Sequence, residues 1–252
     1  MSTLTAPRHP LAPAASVRTG TPVMDLPAVS FFGRTLEEYT RFFGLDVAAL
    51  RGRSVLDVAA GPSSFTAEAH RRGIDAVAVD PLYDRPHAEL AGRVRDDYAR
   101  MFAQIREKRR LFRFKHFPSF DAAETDRRAA ASRFLADYEG NVRHGRYVRA
   151  ALPHLPFLDD AFDLVLCAHL LFLYAQRFDF EWHVAACAEL ARVSHGEVRI
   201  HPVCGAGGKP YTELDRLRRR LEEQGVASAV VRVNYEFFAG SSSMLVLNPQ
   251  SP

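Results

Sequence analysis

The sequence has 252 residues, of which 47% are hydrophobic and 25% charged, and a formal net charge of +3. This length suits one sizeable α/β domain with an embellishment, and the composition is that of an ordinary globular protein. A charge of +3 is too small to indicate nucleic-acid binding by itself. No stretch approaches the roughly 20 apolar residues of a membrane span, and the N-terminus lacks the apolar core of a secretory signal. We therefore expect a cytoplasmic protein that does not associate with membranes.

The cysteine pattern bears on disulfides and metals. The three cysteines, at positions 167, 187 and 204, are widely spaced and odd in number. This spacing argues against both a disulfide framework and a zinc site, so we expect no metal.

Two patterns divide the start of the chain. Residues 1–30 are rich in Pro, Ala, Ser and Thr, so we expect this segment to be disordered or loosely packed and residues 31–252 to form a single domain. Thr35, with Glu38 three positions later, forms a capping pattern, and aromatic residues follow it at helical spacing. This helix could cover a ligand site in part, or it could serve only to pack the core.

Residues 54–83 predict a strand, a tight turn, a helix and a second strand in one unbroken run. The first strand is an apolar, β-branched run that Asp57 interrupts, and we expect this carboxylate to bind backbone amides of the next turn or a charged group of a ligand. Small residues up to Gly61 let a ligand approach the backbone. The second strand ends at Asp80, a position where open α/β sheets bind ligands and where a carboxylate can accept hydrogen bonds from a ribose.

The second half of the chain predicts the rest of the sheet. Residues 147–174 indicate a short third strand, a proline turn and a buried fourth strand at 162–167. Residues 178–191 predict a helix, and 197–202 a fifth strand. A further helix around 214–221 precedes two final strands at 227–233 and 243–247.

Three motifs resemble the class I S-adenosylmethionine-dependent methyltransferases. They are VLDVAAG, then VAVDP about twenty residues later, and LPF followed by FDLV in the second half. The pattern HLLFLY, GKP and a terminal YEF…G…MLVL is similar to that of an uncharacterised bacterial subgroup with a long insertion between the second and third strands. The resemblance implies a Rossmann-like, seven-stranded methyltransferase sandwich in the α/β class, in which the last two strands form an antiparallel hairpin. It also implies S-adenosylmethionine as the cofactor. The cofactor-binding residues that it implies are Asp57, Ala59, Gly61, Pro62, Asp80, Pro81, Ala151 and Leu152.

The sequence departs from the family pattern at two places in the site. The glycines that follow the acidic residue at alternate positions fall on Ala59, Gly61 and Ser63, so only one of them is present. The family often has an acidic residue shortly after the third strand that accepts the adenine amino group, and Ala151 stands there instead. The adenine would then be held by backbone groups of Ala151 or Leu152 and by apolar packing.

His169 follows the fourth strand, where the family lines the methyl-transfer side, and it is our candidate catalytic residue. Its unperturbed pKa is close to neutrality, which suits a general base. A structural hydrogen-bonding role is the alternative. The Asn or Asp followed by Pro-Pro-Tyr that grips an exocyclic amine is missing, which disfavours nucleobase and glutamine N-methylation.

Residues 84–145 are predicted to form a helical insertion over the cofactor crevice, because apolar residues recur there at intervals of three and four. Between positions 106 and 117, six basic residues alternate with Phe112, Phe114, His116 and Phe117. Such a stretch can hold phosphates and stack bases, or recognise a small anionic substrate, or form a solvated helix face.

These observations predict methyl transfer from S-adenosylmethionine to a small molecule whose identity is open. The alternatives are an RNA methyltransferase that uses the basic aromatic insertion, a catalytically silent S-adenosylmethionine-binding scaffold and, with less support, an NAD-dependent oxidoreductase. The last is disfavoured because residues 61–64 fit a G-x-G-x-x-G motif poorly. The oligomeric state is also open.

Overall fold

The structure, a computed structural model, describes residues 23–249. Within this range seven strands form one sheet. The strands are β1 (Ser54–Val58), β2 (Asp75–Val79), β3 (Tyr147–Val148), β4 (Phe162–Ala168), β5 (Ser194–His201), β6 (Val226–Arg232) and β7 (Ser243–Pro249).

The order of the strands in the sheet is β3-β2-β1-β4-β5-β7-β6. The first five pair in parallel, whereas β7 lies antiparallel to both β5 and β6. A sheet that starts from a central β1, grows to both sides and ends in an antiparallel hairpin is the Rossmann-like methyltransferase arrangement. The predicted fold class is therefore confirmed.

Six α-helices accompany the sheet in the described residues. They are α1 (Leu36–Phe43), α2 (Phe65–His70), α3 (His87–Glu107), α4 (Phe120–Asn141), α5 (Phe180–Arg192) and α6 (Leu214–Glu222). None of the helices within residues 23–249 combines the length and the apolar character needed to cross a membrane.

The two faces of the sheet are covered by different helices. On one side, Leu56 and Val58 of β1 join a core with Leu190 of α5 and Leu217 of α6. On the other side, Val55 joins a core that includes α1, α2, α3 and α4. A strand covered on both faces needs apolar side chains at successive positions, which is why β1 is an almost continuous apolar run.

The N-terminal segment differs in part from the prediction. Residues 1–22 lie outside the described range, but two of the next eight residues are anchored in the domain. Met24 and Leu26 are buried, the Met24 N–H donates to the Ala206 carbonyl at 3.0 Å, and the Asp25 N–H donates to Gln104 at 2.8 Å. The apolar side chains of Met24 and Leu26 thus contribute to the core, whereas Asp25 between them is exposed.

The segment between β2 and β3 contains the two long helices α3 and α4, which contact each other. Helix α4 also contacts α2, so the pair lies on the same side of the sheet as α1 and α2. The carboxyl ends of β1 and β2 therefore lie beside α3 and the N-terminal segment.

Candidate functional site

A cleft of about 310 Å³ lies at the carboxyl ends of β1 and β2, bordered by the loops after β3 and β4. We call it the strand-end cleft. Its volume is at the lower end of the range typical of small-molecule and cofactor sites. Five of the residues predicted to bind a cofactor line it: Ala59, Asp80, Pro81, Ala151 and Leu152.

Asp80 is the acidic residue of the strand-end cleft. Its Oδ2 accepts a hydrogen bond from the Gly61 N–H at 3.1 Å, and its Oδ1 accepts one from the Leu82 N–H at 3.0 Å. Burial raises the pKa of Asp80 to about 6, against the lowering effect of these two bonds and of Arg93. Because each carboxylate oxygen has two acceptor sites, Asp80 can still accept hydrogen bonds from ligand hydroxyls.

The turn after β1 faces the N-terminal segment more than the cleft. Gly61 has a φ of 55°, and a Cβ on it would lie 3.6 Å from the Phe32 nitrogen. A Cβ on Gly33 would lie 2.1 Å from the Pro62 carbonyl oxygen. Gly61 and Pro62 thus do not line the cleft, and Gly61 contributes to the site through its hydrogen bond to Asp80.

Asp57 is fully buried beneath this turn and does not line the cleft. Its Oδ1 accepts a hydrogen bond from the Tyr39 hydroxyl at 3.0 Å, and its Oδ2 has no partner among residues 23–249. Burial raises the pKa of Asp57 well above its ordinary value. The expected bonds to backbone amides of the turn are not made among residues 23–249, and Tyr39 of α1 supplies a side-chain donor instead.

Several walls of the strand-end cleft come from residues that sequence reasoning missed. Phe178 and Trp182 stack with their ring centroids 3.7 Å apart, and both line the cleft together with Phe31 and Arg93. The Phe31 N–H donates to Asp97 on α3 at 2.7 Å. These contacts join parts of the chain far apart in sequence, so no local motif identifies them.

A second, smaller cavity of about 40 Å³ lies between the N-terminal segment, α3, α4 and the loops that follow β4 and β6. We call it the inner cavity. Most of its wall is apolar, and five residues contribute polar side-chain groups. Those polar groups belong to Arg34, Arg127, His169, Tyr235 and Ser241.

His169, the candidate catalytic residue, lines the inner cavity, whereas its neighbour Leu170 lines the strand-end cleft. It has a φ of 56°, and its N–H donates to the His201 carbonyl at 2.6 Å. Burial, followed by the charge of Arg34, holds the pKa of His169 well below its ordinary value. The imidazole is therefore neutral at pH 7, and its role as a base stays a prediction.

The aromatic residues of the basic segment pack inward. Phe112, Phe114 and Phe117 all contact the ring of Phe237, with centroids 5.3, 5.4 and 5.5 Å away, and His116 stacks on Tyr235. The basic side chains between them are mostly exposed. Phe112 is buried in the core beside the inner cavity, and Phe114, His116 and Phe117 are half-buried against it, so none of the four rings is fully exposed.

The chain is similar in sequence to one uncharacterized archaeal protein and in structure to several methyltransferases. No family model matches the chain. The uncharacterized protein MJ0045 of Methanocaldococcus jannaschii is 28% identical over 225 residues, which cover 89% of this chain and 98% of that protein.

Among solved structures, magnesium protoporphyrin IX methyltransferase from Synechocystis PCC 6803 is similar at 14% identity and a TM-score of 0.45, covering 84% of this chain and 76% of that one. A TehB-like SAM-dependent methyltransferase from Corynebacterium glutamicum is similar at 16% identity and a TM-score of 0.42, covering 81% and 87%. A SAM-dependent methyltransferase from Aquifex aeolicus is similar at 14% identity and a TM-score of 0.41. The match covers 84% of this chain and 96% of that one.

Proposed function

We propose that the protein binds S-adenosylmethionine in the strand-end cleft and transfers its methyl group to a small-molecule acceptor. The observation that carries the proposal is the position of Asp80, a nearly buried carboxylate in the wall of a cofactor-sized cleft at the carboxyl ends of parallel strands. Ligands of open α/β sheets bind at this end, and an acidic residue there suits a ribose diol.

The residues of the cleft fit the parts of such a cofactor. The ribose hydroxyls would donate to Asp80, whose two oxygens are held in place by backbone N–H groups. The adenine would rest on the loop after β3, where Ala151 and Leu152 line the cleft. Arg93 places a positive charge beside the cleft, and it already pairs with Asp97 at 2.9 Å.

Bound S-adenosylmethionine supplies a methyl group that its sulfonium has already activated. The share of the chain is to bind and orient both reactants and to exclude water from the space between them. Phe31, Leu170, Phe178 and Trp182 supply apolar walls for this purpose. His169 lines the inner cavity and not the strand-end cleft, so the described residues that line the cleft include no histidine to accept a proton from the nucleophile.

A small-molecule acceptor fits the geometry better than RNA does. The aromatic residues of the basic segment are occupied by packing on Phe237 and Tyr235. Single-stranded nucleic acid is held by a basic groove together with exposed aromatic rings. The exposed basic side chains thus lack the rings that they would need.

Calorimetry on the full chain tests the proposal. We expect S-adenosylhomocysteine to bind with one site per chain and NADH to give no heat. Binding of NADH without S-adenosylhomocysteine would overturn the proposed cofactor, and no heat from either would overturn cofactor binding altogether. A short single-stranded RNA, titrated at several salt concentrations, distinguishes the acceptors, because tight binding that falls steeply with salt would favour RNA.

A further inference from the structure

The strand-end cleft contains one positive charge, which the ribose and adenine contacts of the proposed function leave unused. Among the described residues that line the cleft, Arg93 of α3 is the single cationic one. Its Nε donates to Asp97 at 2.9 Å, and its Nη1 and Nη2 have no hydrogen-bond partner among residues 23–249. A guanidinium donates through pairs of N–H groups that match the two oxygens of a carboxylate. Arg93 is therefore available to bind an anionic group of a ligand.

Asp97 holds Arg93 in place without taking up all the positive charge around it. Asp97 is buried, and its Oδ2 accepts from Nε of Arg93 at 2.9 Å and from the Phe31 N–H at 2.7 Å. Its Oδ1 accepts from Nη2 of Arg100 at 2.7 Å. One carboxylate thus faces two guanidiniums. Because Phe31 is itself a wall of the cleft, the shared carboxylate also fixes the guanidinium of Arg93 relative to that wall, and such supporting bonds orient a binding group in advance.

Arg93 and Asp80 are separate charges of the same cleft. Asp80 accepts hydrogen bonds from the N–H groups of Gly61 and Leu82, and no ion pair joins it to Arg93 in the described residues. The side chain of Arg93 is 42% exposed, so a ligand in the cleft can reach it. Most of the remaining wall is apolar. A ligand that uses both charges therefore carries hydroxyl groups at one place and an anionic group at another.

S-adenosylmethionine has both features, a ribose diol and, beyond its sulfonium, the carboxylate of an amino acid. We propose that Arg93 binds this carboxylate and that Asp97 is the positioning residue that orients Arg93. The inference rests on the proposed function for the identity of the cofactor. With the ribose at Asp80 and the carboxylate at Arg93, both ends of the chain that carries the methyl group are held, which orients that group for transfer. Helix α3, and with it the segment between β2 and β3, thereby takes part in cofactor binding.

Calorimetry with S-adenosylhomocysteine and its decarboxylated analogue tests the contact, because the second ligand lacks only the carboxylate. We expect the full chain to bind S-adenosylhomocysteine at least about tenfold more tightly than the analogue, since hydrogen bonds to charged groups are the stronger ones. Arg93→Met should bring the ratio of the two dissociation constants close to one, and Arg93→Lys should retain part of it. Equal affinity of the wild-type chain for the two ligands, or an unchanged ratio in Arg93→Met, would overturn the proposal.

The matched control is Arg95→Met on the same helix. Arg95 is 75% exposed, pairs with Asp96 and does not line the cleft, so this variant should keep the full ratio. Loss of the ratio in Arg95→Met as well would show that the charge of the helix, and not a contact with Arg93, favours the carboxylate.

The role of Asp97 is tested by the same ratio. Asp97→Asn should lower it in the wild-type background and leave it unchanged in the Arg93→Met background, because the two residues act as one unit. A merely structural effect would weaken both ligands equally and leave the ratio as it is, which would refute the positioning role. The two proposals fail separately: no binding of either ligand refutes the proposed function, whereas binding with an unchanged ratio in Arg93→Met refutes only the carboxylate contact.

Discussion

The backbone N–H of Gly61 donates to the carboxylate of Asp80 at 3.1 Å. This bond joins the turn after β1 to the end of β2 and fixes the carboxylate at the edge of the strand-end cleft. Gly61 has a left-handed φ of 55°, which glycine adopts without strain. The glycine of the turn thus acts on the candidate site through Asp80.

Replacing Asp80 tests the ribose contact. We expect Asp80→Asn to weaken S-adenosylhomocysteine binding by about tenfold or more, because charge-assisted hydrogen bonds contribute about 1.5–3 kcal/mol. The matched control is Asp75→Asn, an exposed residue at the other end of the same strand. Dissociation constants from calorimetry compare the two variants, and equal effects would remove Asp80 from the site.

The raised pKa of Asp80, about 6, predicts that cofactor affinity and folding stability depend on pH in opposite directions. Cofactor binding needs the ionised form, so affinity should fall about tenfold per pH unit below pH 6. Folding stability should change the other way: its contribution from protonated Asp80 is full below the ordinary pKa of 3.8 and is lost as pH rises through 6. Calorimetry from pH 5 to 8 measures the affinity, and a profile of the same shape in Asp80→Asn would contradict the assignment.

Ala151 offers a gain-of-affinity test. It is exposed at the loop after β3 and lines the cleft. We expect Ala151→Asp to bind S-adenosylhomocysteine about fivefold more tightly, because one added hydrogen bond to the adenine amino group contributes on the order of 1 kcal/mol. The inosine analogue, which lacks the amino group, should gain nothing. An equal gain for both ligands would point to a general charge effect instead.

The buried network around Glu38 predicts a large loss of stability. Glu38→Ala leaves Arg127 as an uncompensated buried charge, and breaking a buried pair in this way costs about 3–5 kcal/mol. Burial alone would raise the pKa of Glu38, but the charges of Arg127 and Arg34 outweigh it and hold the pKa below its ordinary value. The neighbour Glu37 is 72% exposed and pairs with Arg41, so Glu37→Ala should cost less than about 1 kcal/mol. Urea unfolding measures both, and similar losses would contradict the network.

Two glycines should respond to alanine in opposite directions. Gly33→Ala would place a Cβ 2.1 Å from the Pro62 carbonyl oxygen, and such overpacking destabilises by about 1–3 kcal/mol. Gly140 lies within α4 with open space at its Cβ position, so Gly140→Ala should stabilise by about 0.5–1 kcal/mol. The free energy of unfolding in urea compares the two variants. An unchanged free energy of unfolding in Gly33→Ala would show that the segment around Gly33 does not hold the turn after β1.

The sequence predicted those parts of the site that local pattern determines. Asp80 and Ala151 follow strands, and the ends of parallel strands meet at one edge whatever the rest of the chain does. The Tyr39 partner of Asp57 lies 18 residues away, and the Glu38 partner of Arg127 lies 89 residues away. No periodicity relates such pairs, so sequence reasoning missed both.

The basic aromatic segment shows a second limit of prediction from the sequence. Its alternating basic and aromatic residues fit a surface that binds nucleic acid, yet Phe112, Phe114 and Phe117 pack on Phe237 of the loop between β6 and β7. Composition alone does not say which side of a segment faces the core. His169 follows β4, and its ring lines the inner cavity and not the strand-end cleft.

The stacked pair of Phe178 and Trp182 makes the strand-end cleft observable without labels. Trp182 is the single tryptophan of the 252 residues, and it lines the strand-end cleft but not the inner cavity. The intrinsic tryptophan fluorescence of the chain therefore reports occupancy of the strand-end cleft and not of the inner cavity. One optical signal thus follows the arrival of a ligand in the strand-end cleft.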